Sequence, residues 1–161
     1  MFHYMRPGLI DPIGEAPFVG AFSYSNIYGQ GDRTAAGIII SSSMSGTHST
    51  LINGSGADTS CKMSATTGQF IEFLFPTEIE MDQFTWDQGS NITHNTWKAE
   101  VKRGAGAFIT VNAGWVWAAT TAGTINLAPT PRMDRLRFSQ VSGTANTTPF
   151  IQEFTFRTRN A

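Results

Sequence analysis

With 161 residues, 40% of them hydrophobic, and a formal net charge of −1, the chain holds one domain's worth of polypeptide and enough apolar material for a core. Charged residues make up 14%, well below the usual quarter, and Ser and Thr fill the gap at about a fifth of the chain. A surface this neutral and hydroxyl-rich excludes a dedicated nucleic-acid or anionic-membrane binder.

Residues 1–34 read differently from the rest. Pro7, Pro12 and Pro17 rule out a helix and make a long central strand implausible, and five glycines follow at short intervals. The segment is nevertheless too aromatic for a disordered linker. It is expected to be an extended arm ordered by packing, with Phe18, Phe22, Tyr24 and Tyr28 as anchors on a neighbouring protein or a further copy. A first strand and meander docked on its own domain is the alternative. The start MFHYMRPGLIDP has no apolar signal-peptide core, and no apolar run reaches membrane-spanning length, so synthesis in a cytoplasm without membrane insertion is expected.

Residues 35–161 form the second unit. The run 37–43 (GIIISSS) is a short β-branched strand, and 44–67 is weakly patterned. In 69–75, Ile71, Phe73 and Phe75 share one face, and Pro76 is expected to end that strand. Phe84 and Trp86 alternate with polar residues over 79–88, and Trp97, Ala99 and Val101 do so over 96–103. The polar stretch 88–95 between them suits a surface loop. Short strands follow at 108–111, 115–118 and 124–127, then alternating runs at 133–141 and 150–157. About eight strands with regular turn signals and no sustained helical period indicate an all-β protein, a jelly-roll sandwich of two antiparallel sheets. Phe73, Phe84, Trp97, Leu136, Phe138 and Phe154 are the expected core.

The order of these runs resembles the galactose-binding-like, or discoidin, jelly-roll family. Residues 70–75 look like the family's "W-I-E-F-D-F-G" strand, and Leu136-Arg137-Phe138 stands where it has "I-R-L". Residues 151–156 (IQEFTF) are similar to its closing "I-x-E-I-x-F". A closer likeness is to the version found in tailed-bacteriophage and gene-transfer-particle virion proteins, whose "D-E-F-T-W-Y-Q-S…T-H-G-T-W" resembles Asp82–Gln88 with residues 93–97 (THNTW). The resemblance implies a non-enzymatic virion accessory protein, such as a spike, fibre, tail or capsid decoration. It would assemble with other virion proteins through the arm, form homo-oligomers and touch cell-surface polysaccharide. A free or enzyme-attached carbohydrate-binding module is the alternative. Where the family has "G-S-N-D-G" and "V-D-G", this chain has 101–108 (VKRGAGAF) and Ile52-Asn53-Gly54. Both changes remove carboxylates, so no cofactor is expected, and calcium held by Asn53, Asp58 and Thr59 would be poorly served.

No HExxH, GxSxG or paired-carboxylate motif is present, and KRGAGA lacks the Lys-Ser/Thr of a phosphate loop, so no catalytic residues are assigned. Cys61 is the only cysteine, which precludes an internal disulfide and reads as a buried hydrophobe. Sugars need an aromatic plate and planar polar side chains. Trp86, Asn91, His94 and Asn95 around one loop, with Trp115 and Trp117 on one strand face, supply those types. The alternating pattern also allows Trp86 and Trp97 to be core residues, while His94 reads as an exposed loop residue. Arg132, Arg135, Arg137, Arg157 and Arg159 have only Asp134 and Glu153 near them in sequence. They read either as a phosphate patch or as a charge-guarded sheet edge, with a possible Arg137–Glu153 pair. Asp32 and Arg33 read as a local ion pair in a turn. The Asn-x-Ser/Thr triplets at Asn53, Asn91 and Asn146 are chance occurrences in so polar a chain.

Overall fold

The computed structural model describes residues 18, 20–64, 66–147 and 150–159. Eight strands carry the fold: β1 (Ile39–Ser42), β2 (Cys61–Lys62), β3 (Phe70–Gln88), β4 (Asn95–Lys102), β5 (Ile109–Trp117), β6 (Ala122–Asn126), β7 (Met133–Ser142) and β8 (Phe150–Arg159). Two 3₁₀ turns, Thr34–Ala36 and His48–Ile52, are the helical elements among the described residues. One antiparallel sheet runs β1–β3–β7–β4–β5 and the other β2–β8–β3–β6. The all-β jelly-roll expectation therefore holds.

β3 belongs to both sheets. Residues 70–74 pair with β7, whereas 80–88 pair with β8. Pro76 does not end the strand as the sequence suggested. The ladder to β7 breaks between Leu74 and Ile79, and Pro76, which has no N–H to donate, sits exposed in the break. The runs 108–111 and 115–118 likewise merge into β5. Its register with β4 slips between Asn112 and Trp115, and the Gly114 N–H donates to Asn112 Oδ1 at 3.0 Å. That side-chain bond satisfies a donor which the slipped ladder would otherwise leave open.

Alternation along the strands places the aromatic residues between the sheets. Phe73, Phe84, Trp97, Leu136, Phe138 and Phe154 are all fully buried, as expected. Rings meet across the sandwich: Phe84 with Phe138 at 4.5 Å, Trp86 with Trp117 at 5.3 Å, and Phe73 edge-on to Phe154 at 5.4 Å and Phe156 at 5.1 Å. Each such pair adds roughly 0.5–1.5 kcal/mol beyond the area it buries.

The arginines face carboxylates that the linear sequence separates from them, nearly all on β3. Glu72 takes Arg135 and Arg137, Glu80 takes Arg159, and Asp82 takes Arg157 in a two-pronged pair at 2.7 and 2.9 Å. Arg132 lies 4.0 Å over the ring of Phe18. The predicted Arg137–Glu153 pair is thereby corrected, since Glu153 lies on β8 and pairs elsewhere. These pairs link neighbouring strands, and because water reaches their arginines they add little to stability.

Among the described residues, the segment expected to reach a neighbour packs on its own sandwich. β2 covers only the start of β8's outer edge, and residues 23–29 cover its later part. Ser23 exchanges backbone bonds with Thr158 at 2.9 and 3.0 Å, and the Phe156 N–H donates to Gly29 O at 2.8 Å. Tyr28 is 1% exposed and edge-on to Phe75, Tyr24 hydrogen-bonds Gln83, and Arg159 stacks on Phe22. An uncovered strand edge would leave unpaired amides, so pairing with its own chain is the nearest solution. The expected anchoring role of Phe22, Tyr24 and Tyr28 on a partner is thus corrected. Residues 1–17 and 19 lie outside the described residues.

Arg33 completes this docking and is not the exposed turn residue expected. Its guanidinium pairs with Glu153, donates to the Phe154 carbonyl, and bonds Tyr28 O at 3.2 Å, Gly29 O at 3.1 Å and Gly31 O at 3.1 Å. Asp32 instead accepts the Thr34 N–H at 3.0 Å and its hydroxyl at 2.7 Å.

Two stability outcomes follow from this packing. Trp97→Ala is expected to cost roughly 3–5 kcal/mol in denaturant unfolding, while a loss below about 1 kcal/mol would contradict its burial. Arg33→Ala is expected to cost a similar 3–5 kcal/mol because it strands the Glu153 carboxylate. Replacing both partners with Met and Gln should recover much of that loss; equal losses in the single and double variants would show that the pairing is not the cause.

Candidate functional site

At one end of the sandwich β3, β5 and β7 finish and β4, β6 and β8 begin. Loops 89–94, 118–121 and the described part of 143–149 therefore cluster there, joined by residues 53–60 leading to β2. Between them lies an open hollow of about 430 Å³ whose lining includes Gly56, Asp87, Gln88, Thr121 and Gln152. Asp87 and Glu153 are directly opposed on β3 and β8, and burial pushes the Asp87 carboxyl up. Gly56 faces that carboxylate with room to spare: a Cβ there would meet only Asp87 Oδ2, at 4.0 Å. The hollow thus offers a carboxylate, a primary amide and a hydroxyl around loop backbone.

A half-buried ring stands beside it. Phe150 and Gln152 are two apart on β8 and so share a face, and Gly89 donates its N–H to Phe150 O at 2.9 Å. Lys62 Nζ sits 4.3 Å from the Phe150 ring centroid. The sequence reading missed Asp87, Thr121, Phe150 and Gln152. The available signal was alternation: Asp87 and Gln152 are the outward positions beside the inward Trp86 and Ile151.

Most of the residues assigned to a sugar site are elsewhere. Trp86, Trp115 and Trp117 are 1%, 4% and 0% exposed, and the outward residue between the last two is Val116, 60% exposed. They are core, and the expected aromatic plates are corrected accordingly: three indoles between two sheets bury more apolar area than any single surface plate. Trp86 also lies flat against β6, where a Cβ on Gly123 would fall 2.4 Å from its ring. Asn91 is exposed in its loop. Asn95, at φ 65°, donates through Nδ2 to Thr144 O at 2.6 Å and fixes one loop to another.

His94, expected at the surface, is fully buried. Its N–H donates to Trp117 O at 3.0 Å, its carbonyl accepts the Trp97 indole N–H at 2.8 Å, and Nδ1 accepts the Asn146 N–H at 3.1 Å. An imidazole accepting at Nδ1 is neutral and carries its proton on Nε2. Burial pushes its pKa down to about 4. His94 therefore ties three loops of this end together from below, and it does not face the hollow.

The residues weighed for calcium satisfy one another. Asn53 Nδ2 donates to Asp58 Oδ2 at 2.5 Å, and Asn53 Oδ1 accepts the Ser55 N–H at 2.9 Å. Among the described residues no group of three or more His, Cys, Asp or Glu is placed to hold a metal.

The buried His94 gives the fold an acid sensitivity. As pH falls through about 6.5 the unfolded chain takes up the proton, while the folded state resists until about 4. Stability present above pH 6.5 is therefore withdrawn across that window, by about 3 kcal/mol in total. Glu153, pushed upward by burial, works in the opposite sense over an overlapping range. Comparing urea unfolding of the wild type and His94→Gln at pH 7 and pH 4 isolates the histidine. The wild type should lose about 3 kcal/mol more than the variant on acidification, and equal losses would show that His94 is not held neutral.

No protein-family model and no curated protein matches the chain. Solved structures do. The module CpGH89CBM32-5 from Clostridium perfringens, in complex with GalNAc-β-1,3-galactose, aligns with a TM-score of 0.58 at 12% identity, over 76% of this chain and 96% of that one. The family 32 carbohydrate-binding module of EndoD from Streptococcus pneumoniae gives 0.58 at 12% identity, over 74% and 94%. A pectin-binding carbohydrate-binding module gives 0.59 at 10% identity, over 78% and 94%. At these identities the likeness is one of fold, and the fold is the galactose-binding-like jelly roll.

Proposed function

We propose that this galactose-binding-like jelly roll is a non-catalytic carbohydrate-binding module that holds a neutral saccharide in the hollow at Asp87. The observation that carries the reading is the lining: a carboxylate, an amide and a hydroxyl grouped at the loop end of a fold shared with carbohydrate-binding modules. Asp87 accepts from a pair of sugar hydroxyls, Gln152 both donates and accepts, and Thr121 closes the rim. With Glu153 held by Arg33, the uncompensated Asp87 carboxylate disfavours uronates and sulfated sugars through like charge.

Calorimetric titration with a panel of neutral galactosides and uronates tests this. Binding of a neutral sugar is expected, and Asp87→Ala should weaken it by about tenfold or more, the worth of a charge-assisted hydrogen bond. Its thermal midpoint should be unchanged or higher, because the variant also relieves repulsion on Glu153. Unchanged affinity in Asp87→Ala, or a preference for uronates, would remove the hollow from consideration.

A second reading is that the module rides on a phage-like particle with other virion proteins and further copies of itself. It is supported by the likeness of Asp82–Gln88 and residues 93–97 to virion proteins. Stoichiometric recovery in purified particles is expected, and its absence from them would overturn this reading.

A further inference from the structure

Asp87 stands apart from the other described carboxylates. Arginines hold Glu72, Glu78, Glu80, Asp82 and Glu153, and Lys98 holds Glu100. Asp32, Asp58 and Asp134 accept hydrogen bonds from Thr34, Asn53 and Gly104. Among the described residues no donor and no cation reaches Asp87, although it is half-buried. A carboxylate in that position is costly unless donors arrive from outside the chain.

The wall facing it is the segment 53–58, which is fixed at both ends. Gly54 has φ 76°, and a Cβ on it would fall 2.7 Å from Gly31 C and 2.8 Å from Asp32 N, so glycine is required there. Its N–H donates to Glu153 Oε2 at 3.1 Å. At the far end Asp58 accepts from Asn53 Nδ2 at 2.5 Å, and Asn53 Oδ1 also holds the Ser55 N–H at 2.9 Å. Between these ties run Ser55, Gly56 and Ala57, all small.

Gly56 differs from Gly54 in what it demands. Its backbone lies outside the left-handed region, and a Cβ there would find one atom within 4 Å, Asp87 Oδ2 at 4.0 Å. Neither backbone strain nor packing therefore calls for glycine at this position. The space that a longer side chain would enter is the hollow in front of Asp87, which Gly56 lines.

We propose that Gly56 is a specificity-determining residue of the saccharide site: its missing side chain keeps the approach to Asp87 open, so that a sugar substituted beside its hydroxyl pair, as a unit within a chain is, still reaches the carboxylate. The proposal rests on the assignment of the hollow to a neutral saccharide. Because the segment is tied at Gly54 and Asp58, it does not swing aside to accommodate a larger residue, and side-chain size at this one position selects the ligand.

Two measurements on the full chain test it. Calorimetry of the wild type, Gly56→Ala and Gly56→Leu compares a neutral methyl galactoside with a neutral galacto-oligosaccharide. The alanine variant should bind both nearly as the wild type does, because its Cβ stays at contact distance from Asp87. The leucine variant should lose about tenfold or more for the oligosaccharide, the worth of hydrogen bonds to a carboxylate, and less for the monosaccharide. Its thermal midpoint should be unchanged or higher, since position 56 is exposed and unstrained. Separately, Gly56→Lys should bring an ammonium to Asp87 and lower the pH at which that carboxyl titrates, read by carbon NMR without sugar. Equal affinities across the series, equal losses for both sugars, or an unmoved Asp87 titration would overturn the proposal, and the saccharide site would stand if Asp87→Ala still weakens binding. A wild type that binds neither sugar would overturn the site itself, and the selectivity with it.

Discussion

The buried pairing of Arg33 with Glu153 is the interaction on which the arrangement of this molecule depends. A guanidinium taken from water must find partners for all its N–H groups, and Arg33 does so with three carbonyls of its own turn, the Phe154 carbonyl and the Glu153 carboxylate. The second oxygen of Glu153 accepts the Gly54 N–H at 3.1 Å, and the Arg33 N–H donates to Ile52 O at 2.8 Å. Residues 28–33, the loop around Gly54 and the centre of β8 are therefore fixed by one pair of charges. Burial alone would push the two groups toward neutrality, the acid upward and the base downward, and their mutual attraction opposes both shifts. Geometry of this kind tolerates little change in any of the three pieces, which is how a surface-like segment becomes part of the domain.

From the same pair the floor of the candidate sugar site takes its character. Glu153 lies across from Asp87, so neutralising Glu153 with an arginine from below leaves the Asp87 carboxylate free to face solvent. His94 supports the neighbouring loops without charge. The site end is thus polar above and aromatic beneath.

Much of the fold was legible in the sequence because period-two alternation is local. The inward positions of Phe73, Phe84, Trp97 and Phe138 could be read from their immediate neighbours. What could not be read depends on residues far apart in the chain. Arg135, Arg137, Arg157 and Arg159 look unpaired until β3 brings Glu72, Glu80 and Asp82 alongside. Arg33 looks like a turn residue until Glu153, 120 positions away, reaches it. His94 sits in a polar stretch and appears exposed, since nothing nearby in sequence shows that Trp117 and Asn146 close over it. The tryptophans were ambiguous for a related reason: the residue types that make a sugar plate also make a core, and only sheet pairing decides between them. Pro76 misled because a break in one sheet's ladder looks, in sequence, like the end of a strand.

That break has a consequence for how the molecule comes apart. Because β3 passes from one sheet to the other around Pro76, it supplies hydrogen-bonding partners to β7 in the first layer and to β8 in the second. Neither layer can peel away while the other keeps its strands, since losing β3 from one pulls the same continuous backbone through the other. The two layers should then behave as a single cooperative unit in amide exchange, with slow opening shared across both, and local openings confined to the loops and to the edge strands β1, β2, β5 and β6.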